Sequence, residues 1–307
     1  MLDFLSAFCR ANRDCRDFGL GSFERFKDFL DFQYALFSEE LQTRAQLPDP
    51  LLVVRQYAHD RHFAEIALFC ALLSYGNARA IVSFLSRVDF GLFSAQDCMR
   101  DCMQDSMQDF IQERLTPNPS LYYRFQSAED IAHLLKIFRI LCAQGGVKEI
   151  FLHGYKHATH TPFKILNAIY HTIAHLWEIA RTLKIESSQG LSFALGSAEN
   201  LVPFNPRGRS ALKRWNMFAR WLVRKDGVDF GLWSEIAPSE LLIPLDTHTF
   251  NTARKLGLLT RKSADLQAVI ELSQNLKTLC PKDPMRYDFA LYRIGQQRVE
   301  LDSALQC

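Results

Sequence analysis

Apolar residues recur at steps of three and four along most of this chain, and this spacing constrains its fold more than any other feature. Between residues 23 and 37, phenylalanine, leucine and tyrosine follow it, as on the buried face of an α-helix. We find no segment in which apolar and polar residues alternate convincingly between hairpin turns, as in a half-buried strand. The sequence therefore predicts an all-α fold for its 307 residues.

The segment from Ile66 to Leu73 is apolar almost all round, which predicts a helix at the centre of its lobe. The turn SYGNARA follows it, and Gly76 and Asn77 suit left-handed backbone. A buried helix that stops at an exposed polar turn is typical of a loop that faces a ligand. Further on, Ser127 followed by Asp130 predicts a capped helix start, and two glycines predict that helix's end.

Composition changes most strongly in a Gly-, Ser- and Pro-rich connection that runs from residue 187 to residue 210. We expect one interlocked unit of two helical lobes. The first lobe spans 55–185 and has a histidine-rich end, and the second combines 1–54 with 190–307.

Charge and hydropathy exclude several classes of protein. Thirty-six basic residues against 34 acidic ones give a net charge of +2, so a nucleic-acid surface would depend on how charge is distributed. We find no apolar run that reaches the roughly 18 residues of a membrane span. The first residues include acids and lack a basic start before a long apolar stretch. We expect a cytoplasmic protein without a membrane partner.

Metal-binding patterns are weak. The eight cysteines show no CxxC spacing, which favours free thiols. His171 and His175 are four residues apart and could grip a metal on one helix face, but the HExxH glutamate is missing between them. The alternative is a solvated helix edge, and we predict neither a metal nor another cofactor.

The stretch from Arg207 to Leu258 carries the strongest candidates for function. A predicted helix over 210–225 combines an apolar stripe with basic residues. A cationic face beside a helix N-terminus suits phosphate oxygens, because free N–H groups add to the charges. A solvated surface face is the alternative interpretation. The cations of this stretch are Arg207, Arg209, Lys213, Arg214, Arg220, Arg224 and Lys225.

Asp246 precedes a helical pattern that ends at Gly257, and it is a good N-cap, able to accept a hydrogen bond from the N–H of His248 or Thr249. Capping alone explains this residue. A cap carboxylate that also faces a cleft, however, is held ionised by those same N–H groups. It could stabilise an oxocarbenium-like sugar, orient a water molecule or take a proton from a nucleophile.

The segment LLIPLDTHTFNTARKLGL resembles the one that carries the catalytic aspartate in the helix-hairpin-helix DNA glycosylase superfamily. Upstream, LKRWNMFARW is similar to the archaeal 8-oxoguanine glycosylase branch, in which the Schiff-base lysine lies unusually far before the aspartate. Lys213 lies 33 positions before Asp246, which suits that branch. The whole chain, with YRFQ, RWLVR, GVDFGLW, IPLDTH and DPMRYDFAL, also resembles an uncharacterised conserved bacterial family related to those enzymes.

The resemblance implies a two-lobed helical fold with a central cleft. It implies an enzyme that removes an oxidised purine, such as 8-oxoguanine, from damaged double-stranded DNA, with AP lyase activity as an open question. Lys213 would be the Schiff-base nucleophile and Asp246 the catalytic carboxylate. Asn77 would probe the DNA, because its turn occupies the place of the LLSxQ-type segment. We expect a monomer.

Two further groups of residues complete the predicted site. The candidates for DNA contact beside Asn77 are Arg207, Arg209, Arg214, Arg220, Arg224 and His248. The candidates for stacking on an extruded base are Trp215, Trp221, Trp233 and Phe289, for which a place in the core is the alternative. Two other functions stay open: a non-catalytic nucleic-acid-binding protein that retains the glycosylase-like fold, and a histidine-based metallohydrolase.

Overall fold

The computed structural model describes five segments of the chain, which are 20–43, 49–93, 117–158, 161–197 and 204–297. These segments contain twelve α-helices and two short 3-10 helices, joined by loops. Their β-type pairing is confined to isolated bridges. The prediction of an all-α fold is confirmed in these segments. Residues 94–113, whose polar and methionine-containing sequence also predicts a helix, lie outside them.

The chain divides into two compact units. The continuous unit comprises residues Leu47–Asn205, and the discontinuous unit joins Met1–Gln46 to Pro206–Cys307. The sequence suggested boundaries near residues 55 and 190. The structural boundaries differ because the helices on either side of those positions pack within the continuous unit.

The described residues of the continuous unit form seven α-helices. We number the helices along the whole chain. The helix of residues 20–43 is therefore α1, and the helices of the continuous unit are α2 to α8. The seven are α2 (Pro50–Arg55), α3 (Phe63–Leu72), α4 (Ala78–Leu85), α5 (Ala128–Ala143), α6 (Val147–Lys156), α7 (Lys164–Thr182) and α8 (Gln189–Leu195).

Helix α3 lies at the centre of the continuous unit and packs against α2, α5 and α6. All its side chains except that of Ala64 are buried, so the prediction of a central buried helix is confirmed. Phe69 meets the edges or faces of Phe90, Phe93 and Phe138, with ring centroids 5.3 to 6.0 Å apart. Such edge contacts are favourable because each ring has a negative face and a positive rim.

The turn after α3 fits its prediction in part. Gly76 is left-handed, with φ +96°, but Asn77 is extended, with φ −81° and ψ 132°. Asn77 needs that extended backbone because its side chain caps α4, accepting from the N–H groups of Arg79 and Ala80. The expectation of left-handed backbone at Asn77 is therefore wrong.

Both ends of α5 agree with the sequence. Ser127 accepts from the N–H of Asp130, whose carboxylate accepts in turn from the N–H of Ser127, which makes a capping box. Gly145 and Gly146, with φ of 102° and 90°, follow the helix. These conformations favour glycine, since it has no Cβ to collide with the preceding turn.

The discontinuous unit is built from α1 (Leu20–Thr43), α9 (Lys213–Val223), α10 (Thr247–Lys255), α11 (Leu266–Leu279) and α12 (Arg286–Gln297). Helix α12 packs against both α1 and α10. Gly295 lets α10 approach closely, because a Cβ there would lie 2.7 Å from Thr252 Oγ1. Between them, these helices bring together side chains from distant parts of the sequence.

Two helix starts in this unit differ from the prediction. Helix α9 begins at Lys213 and not at residue 210, because Leu212 takes a left-handed conformation with φ 50°. Helix α11 is capped by Asp265, whose carboxylate accepts from the N–H of Ala268, whereas the sequence TRKSADLQ predicts Ser263 as the cap. Arg261 donates to both carboxylate oxygens of Asp265, which holds this cap in place.

Within the described segments, no helix combines the length and the apolar character that crossing a membrane requires.

Candidate catalytic site around Lys213 and Asp246

Lys213 is the first residue of α9, and the chain just before it is firmly held. The buried Leu212 adopts left-handed backbone, and its carbonyl accepts from the N–H of Asn216 at 2.9 Å. The side-chain amide of Asn216 donates to the carbonyl of Ala211 at 3.1 Å. These bonds fix the direction in which α9 starts, so the half-buried Lys213 extends from a defined position.

Asp246 caps α10, as the sequence predicted. Its Oδ1 accepts from the N–H of Thr249 at 2.7 Å, which is the second of the two predicted donors. The residues before it, 241–245, are all buried, and the N–H of Ile243 donates to Ser273 Oγ at 2.9 Å. The half-buried carboxylate is therefore carried by backbone that is anchored on both sides.

A third residue, Asp288 on α12, connects these two. Burial raises the pKa of Asp288 to about 6, and the charge of Arg220 opposes that effect. The carboxylate of Asp246 raises this pKa further, and the ammonium group of Lys213 lowers it. Electrostatic effects fall with distance. Geometry supports this link, because Arg220, which pairs with Asp288, lies two turns after Lys213 on the same face of α9.

Thr249 joins the two carboxylates through hydrogen bonds. Its N–H donates to Asp246, and its hydroxyl lies 3.5 Å from Asp288 Oδ1. The threonine is itself buried. The cap of α10 and the buried acid of α12 are thus positioned by a single residue.

Arg220 and Arg224 occupy the other end of α9, and their positions correct a prediction. They are only 4% and 2% exposed, so phosphate oxygens cannot reach them without unfolding part of the unit. Arg220 pairs with Asp288 and Asp229, and its guanidinium lies 4.2 Å from the ring centroid of Phe289. We therefore remove Arg220 and Arg224 from the predicted DNA contacts.

Arg224 binds three carboxylates, those of Asp226, Asp229 and Asp283. Together with Asp288, four acids surround two guanidinium groups. Buried charges are stable only when they are paired and hydrogen-bonded, and this arrangement has more carboxylates than cations. Burial raises the pKa of Asp229 in spite of the opposing charge of Arg220. We call these six side chains the arginine–aspartate network.

The loop after α9 uses its backbone N–H groups internally. Asp226 Oδ1 accepts from the N–H of Val228 at 2.7 Å and from that of Asp229 at 2.8 Å. The N–H of Phe230 donates to the carbonyl of Trp221 at 2.9 Å. These three N–H groups are therefore bound within the loop.

The four aromatic residues proposed for base stacking are buried in the core of the discontinuous unit. Phe218 meets Trp233 edge-on, with ring centroids 5.4 Å apart, and meets Trp215 at 6.4 Å. The ring of Phe289 is covered by the guanidinium of Arg220. The prediction of a base pocket from these residues is wrong, and the alternative of core packing is confirmed. The four are Trp215, Trp221, Trp233 and Phe289.

The other predicted DNA contacts lie at least partly at the surface. Arg207 and His248 are exposed, and Arg209 and Arg214 are half-buried. The ring of His248 meets the face of Tyr292 on α12, at 6.1 Å between centroids. Contact between these four residues and DNA stays a prediction.

Asn77 belongs to the continuous unit. Its side-chain oxygen is used in capping α4, at 2.9 Å from the N–H of Arg79, and the residue is exposed. Only its amide NH2 group is therefore available to a ligand without loss of the cap. Its role as a DNA-probing residue also stays a prediction.

Asp288 is the functional candidate that the sequence reasoning missed. It stands in the segment YDFAL, an acid among apolar residues within a predicted helix. A charged side chain in such a position is buried only when it has partners. That pattern was the available signal, but it does not identify the partners.

One cluster in the continuous unit has the composition of a metal site. The candidate ligand atoms of His62, Glu65 and Cys142 lie within 4.8 Å of one another. Hydrogen bonds account for two of these residues, however. Glu65 accepts from the N–H of Val147 at 2.6 Å, and His62 Nε2 accepts from Arg61 Nε at 2.9 Å.

Because a guanidinium can only donate, this second bond puts the proton of a neutral His62 ring on Nδ1. Nδ1 is the nitrogen that faces Glu65, at 3.9 Å, and a protonated nitrogen offers no lone pair to a cation. The predicted pair of His171 and His175 contacts different neighbours: His175 bonds to the side chain of Gln144 at 2.9 Å, and His171 packs on His153.

Comparison with known proteins gives one match. Residues 49–297, which are most of the chain, match the sequence model of a family described as a protein of unknown function (DUF2400). The chain belongs to that family. No curated protein and no solved structure matches it.

Proposed function

We propose that this member of the DUF2400 family is a DNA glycosylase that removes an oxidised purine such as 8-oxoguanine. Lys213 acts as the nucleophile and Asp246 as the catalytic carboxylate. The observation that carries the proposal is that both residues connect to the buried Asp288: Asp246 through the hydrogen bonds of Thr249, and Lys213 through its place two turns before Arg220 on α9. A lysine beside a carboxylate on a helix N-terminus is a suitable pair for attack on a sugar.

The chemistry follows from these groups. The neutral amine of Lys213 attacks the anomeric carbon of the deoxyribose, and a C–N bond forms there as the bond to the base breaks. The departing base takes the bonding electron pair, and the proton that the newly bonded nitrogen loses passes by way of Asp246 to the base. The carboxylate of Asp246 stabilises the positive charge that develops on the sugar. A Schiff base between lysine and sugar then also permits strand cleavage by elimination.

The amine must lose a proton before it attacks. We propose that this proton goes to solvent, which the half-buried Lys213 can reach, so that Asp246 is still ionised when the amine attacks. Asp288 acts as a positioning residue. It pairs with Arg220 and accepts from Thr249, and Thr249 holds Asp246.

Borohydride trapping tests the proposal. The protein is incubated with duplex DNA that contains 8-oxoguanine, a panel of other lesions or an abasic site, and the Schiff base is reduced to a stable adduct. We expect an adduct with the wild type, and none with Lys213→Ala, which still binds DNA. Lys255→Ala is the matched control, because Lys255 is an exposed lysine at the end of α10. If the full panel yields neither an adduct nor base release, the enzymatic proposal fails.

A non-catalytic nucleic-acid-binding protein is the second candidate. The observation in its favour is that capping and ion pairing already account for Asp246 and Asp288. It predicts salt-dependent binding that Lys213→Ala weakens only as the loss of one phosphate contact would. Measurements of DNA affinity at several salt concentrations, on the same variants, distinguish the two functions.

A further inference from the structure

The continuous unit has an exposed cluster of aromatic side chains. None of the proposed catalytic residues is close to this cluster in the sequence. Phe125 and Phe193 are 58% and 40% exposed. Both contact the half-buried Tyr75: the ring of Phe125 is parallel to it within 2°, at 5.9 Å between centroids, and Phe193 meets it edge-on at 4.8 Å. Phe125 and Phe193 also meet each other, at 5.1 Å. We call these three rings, with Arg124, the aromatic platform.

Hydrogen bonds at least partly shielded from solvent connect the segments that carry the platform. The hydroxyl of Tyr75 donates to Gln126 Oε1, and Gln126 Nε2 donates to the carbonyl of Gly190 at 2.8 Å. The hydroxyl of Tyr123 donates to the carbonyl of Tyr75. The backbones of Tyr123 and Gln126 also exchange two hydrogen bonds, at 3.0 and 2.8 Å. Three segments distant in sequence are thus fixed together, so the rings are positioned before any ligand arrives.

Arg124 places a cation beside these rings. Its guanidinium carbon lies 5.6 Å from the centroid of Tyr75 and 5.8 Å from that of Phe125. The residue is left-handed, with φ 52°, which is unfavourable for a side chain other than glycine. Gly76 provides the space, because a Cβ there would lie 2.8 Å from Arg124 Nη1. The position of the Arg124 side chain therefore depends on its own left-handed backbone and on the absence of a Cβ at Gly76.

The segments of the platform carry positive charge, and the carboxylate of Asp130, which lies against Gly190, accepts hydrogen bonds from Ser127 and Ser188. The three segments are SYGNAR (74–79), YYRFQ (122–126) and helix α8, and they contain two arginines and no acidic residue. Exposed π-faces beside arginines are a combination that suits nucleic acids, because bases stack on the rings and phosphates attract the cations. An aliphatic protein surface would gain nothing from the arginines.

We propose that the aromatic platform binds the nucleobase of an unpaired or extruded nucleotide, which stacks on Phe125 and Phe193 while Arg124 contacts the backbone phosphate. This inference rests on the proposed function only in taking nucleic acid as the partner. It does not require catalysis by Lys213. The chemical class of the ligand is a single-stranded or locally unpaired polynucleotide.

The test uses the full chain and an oligonucleotide with 2-aminopurine at an unpaired position. The fluorescence of this base falls when it stacks on an aromatic ring. We expect quenching on binding by the wild type. Phe125→Ala and Phe193→Ala should lose the quenching and bind about ten-fold more weakly, in line with the usual effect of one stacking residue. Phe125→Leu keeps apolar area but removes the π-face, and should behave like Phe125→Ala.

Phe32→Ala is the matched control, because Phe32 is also 58% exposed but lies on α1 of the other unit. It should leave quenching and affinity unchanged. Thermal unfolding of each variant checks that the fold is retained, and Phe125→Tyr, which keeps a π-face, should restore binding if Phe125→Ala has lost it through stacking.

Three outcomes would overturn the proposal: unchanged quenching in Phe125→Ala, wild-type binding by Phe125→Leu, or equal affinity for fully paired and unpaired DNA. Self-association of the wild type that Phe125→Ala abolishes would instead identify a second copy as the occupant. The catalytic proposal is tested separately. Lys213→Ala should quench normally, and a protein that quenches without ever forming an adduct supports the platform while the glycosylase proposal fails.

Discussion

The two ends of α9 carry the same type of side chain in opposite environments. At the start, Lys213 and Arg214 are partly exposed, and at the end Arg220 and Arg224 are buried among four aspartates. The sequence presents all four as one basic face. The difference shows that a pattern of cations along a helix predicts a binding surface only where no acids from elsewhere in the chain cover it.

The largest effect is expected when the buried end loses its charge. Arg224→Ala would leave Asp226, Asp229 and Asp283 without their common cation, and loss of one partner from a buried ion pair costs about 3–5 kcal/mol. Lys225→Ala changes the neighbouring, exposed cation and should stay within about 0.5 kcal/mol. Urea unfolding measures both. Similar losses for the two variants would contradict the contrast between buried and exposed cations.

A pH effect is next in size. The folded chain holds the proton of Asp288 with a pKa of about 6, against 3.8 for the ordinary group. Because the folded state binds this proton more tightly than the unfolded state, Asp288 stabilises the fold fully at a pH below its pKa in the unfolded chain. This stabilisation is lost as pH rises through about 6. A shift of this size corresponds to at most about 3 kcal/mol.

Other carboxylates titrate in the same range, so the difference between the wild type and Asp288→Asn isolates this group. The free energy of unfolding of the wild type should fall, relative to that of Asp288→Asn, between pH 4 and pH 7. A constant difference over that range would show that Asp288 titrates normally.

The catalytic role proposed for the start of α9 can be tested by comparing Asp246 with Asp265. These two aspartates cap helices in the same way. Asp246 and Asp265 each accept from a backbone N–H three residues on, but only Asp246 is proposed as the catalytic carboxylate. Asparagine is also a good cap, so Asp246→Asn and Asp265→Asn should each lower stability by about 1 kcal/mol or less. Base release should fall strongly in Asp246→Asn alone. Equal release by both variants would leave Asp246 only its capping role.

The smallest effect is expected from a single surface cation. Arg214→Ala should weaken DNA binding by the equivalent of one phosphate contact and reduce the slope of log affinity against log salt by about 1. Arg181→Ala is a control in the continuous unit, since Arg181 is exposed and pairs with Glu178 at the end of α7. Fluorescence anisotropy at several salt concentrations gives both slopes, and equal slopes would place Arg214 outside the interface.

Local rules were sufficient for part of this structure. The caps at Ser127 and Asp246, the central helix α3 and the glycines after α5 follow from a few neighbouring residues each. Each depends on backbone geometry within one or two turns, which sequence spacing describes well.

The arginine–aspartate network could not be predicted in this way. Arg220 and Asp288 are 68 residues apart, and only the packing of α12 brings them together. The left-handed conformation of Leu212 could not be predicted either, because leucine has no local preference for it. For the same reason the sequence predicts a basic face that is too long, and Arg220 and Arg224 are buried where it predicts contact with DNA.

The connection between Tyr287 and Asp31 has a consequence for synthesis on the ribosome. Their hydrogen bond spans 256 residues, and α1 is made long before α12, on which it packs. The continuous unit can complete its fold while the chain is still growing, because all its helices lie between residues 47 and 205. Until α12 has been synthesised, the apolar face of α1 that includes Phe26 and Leu30 lacks the helix on which it packs in the folded chain. Nascent chains stopped before residue 286 should therefore depend on chaperones through α1.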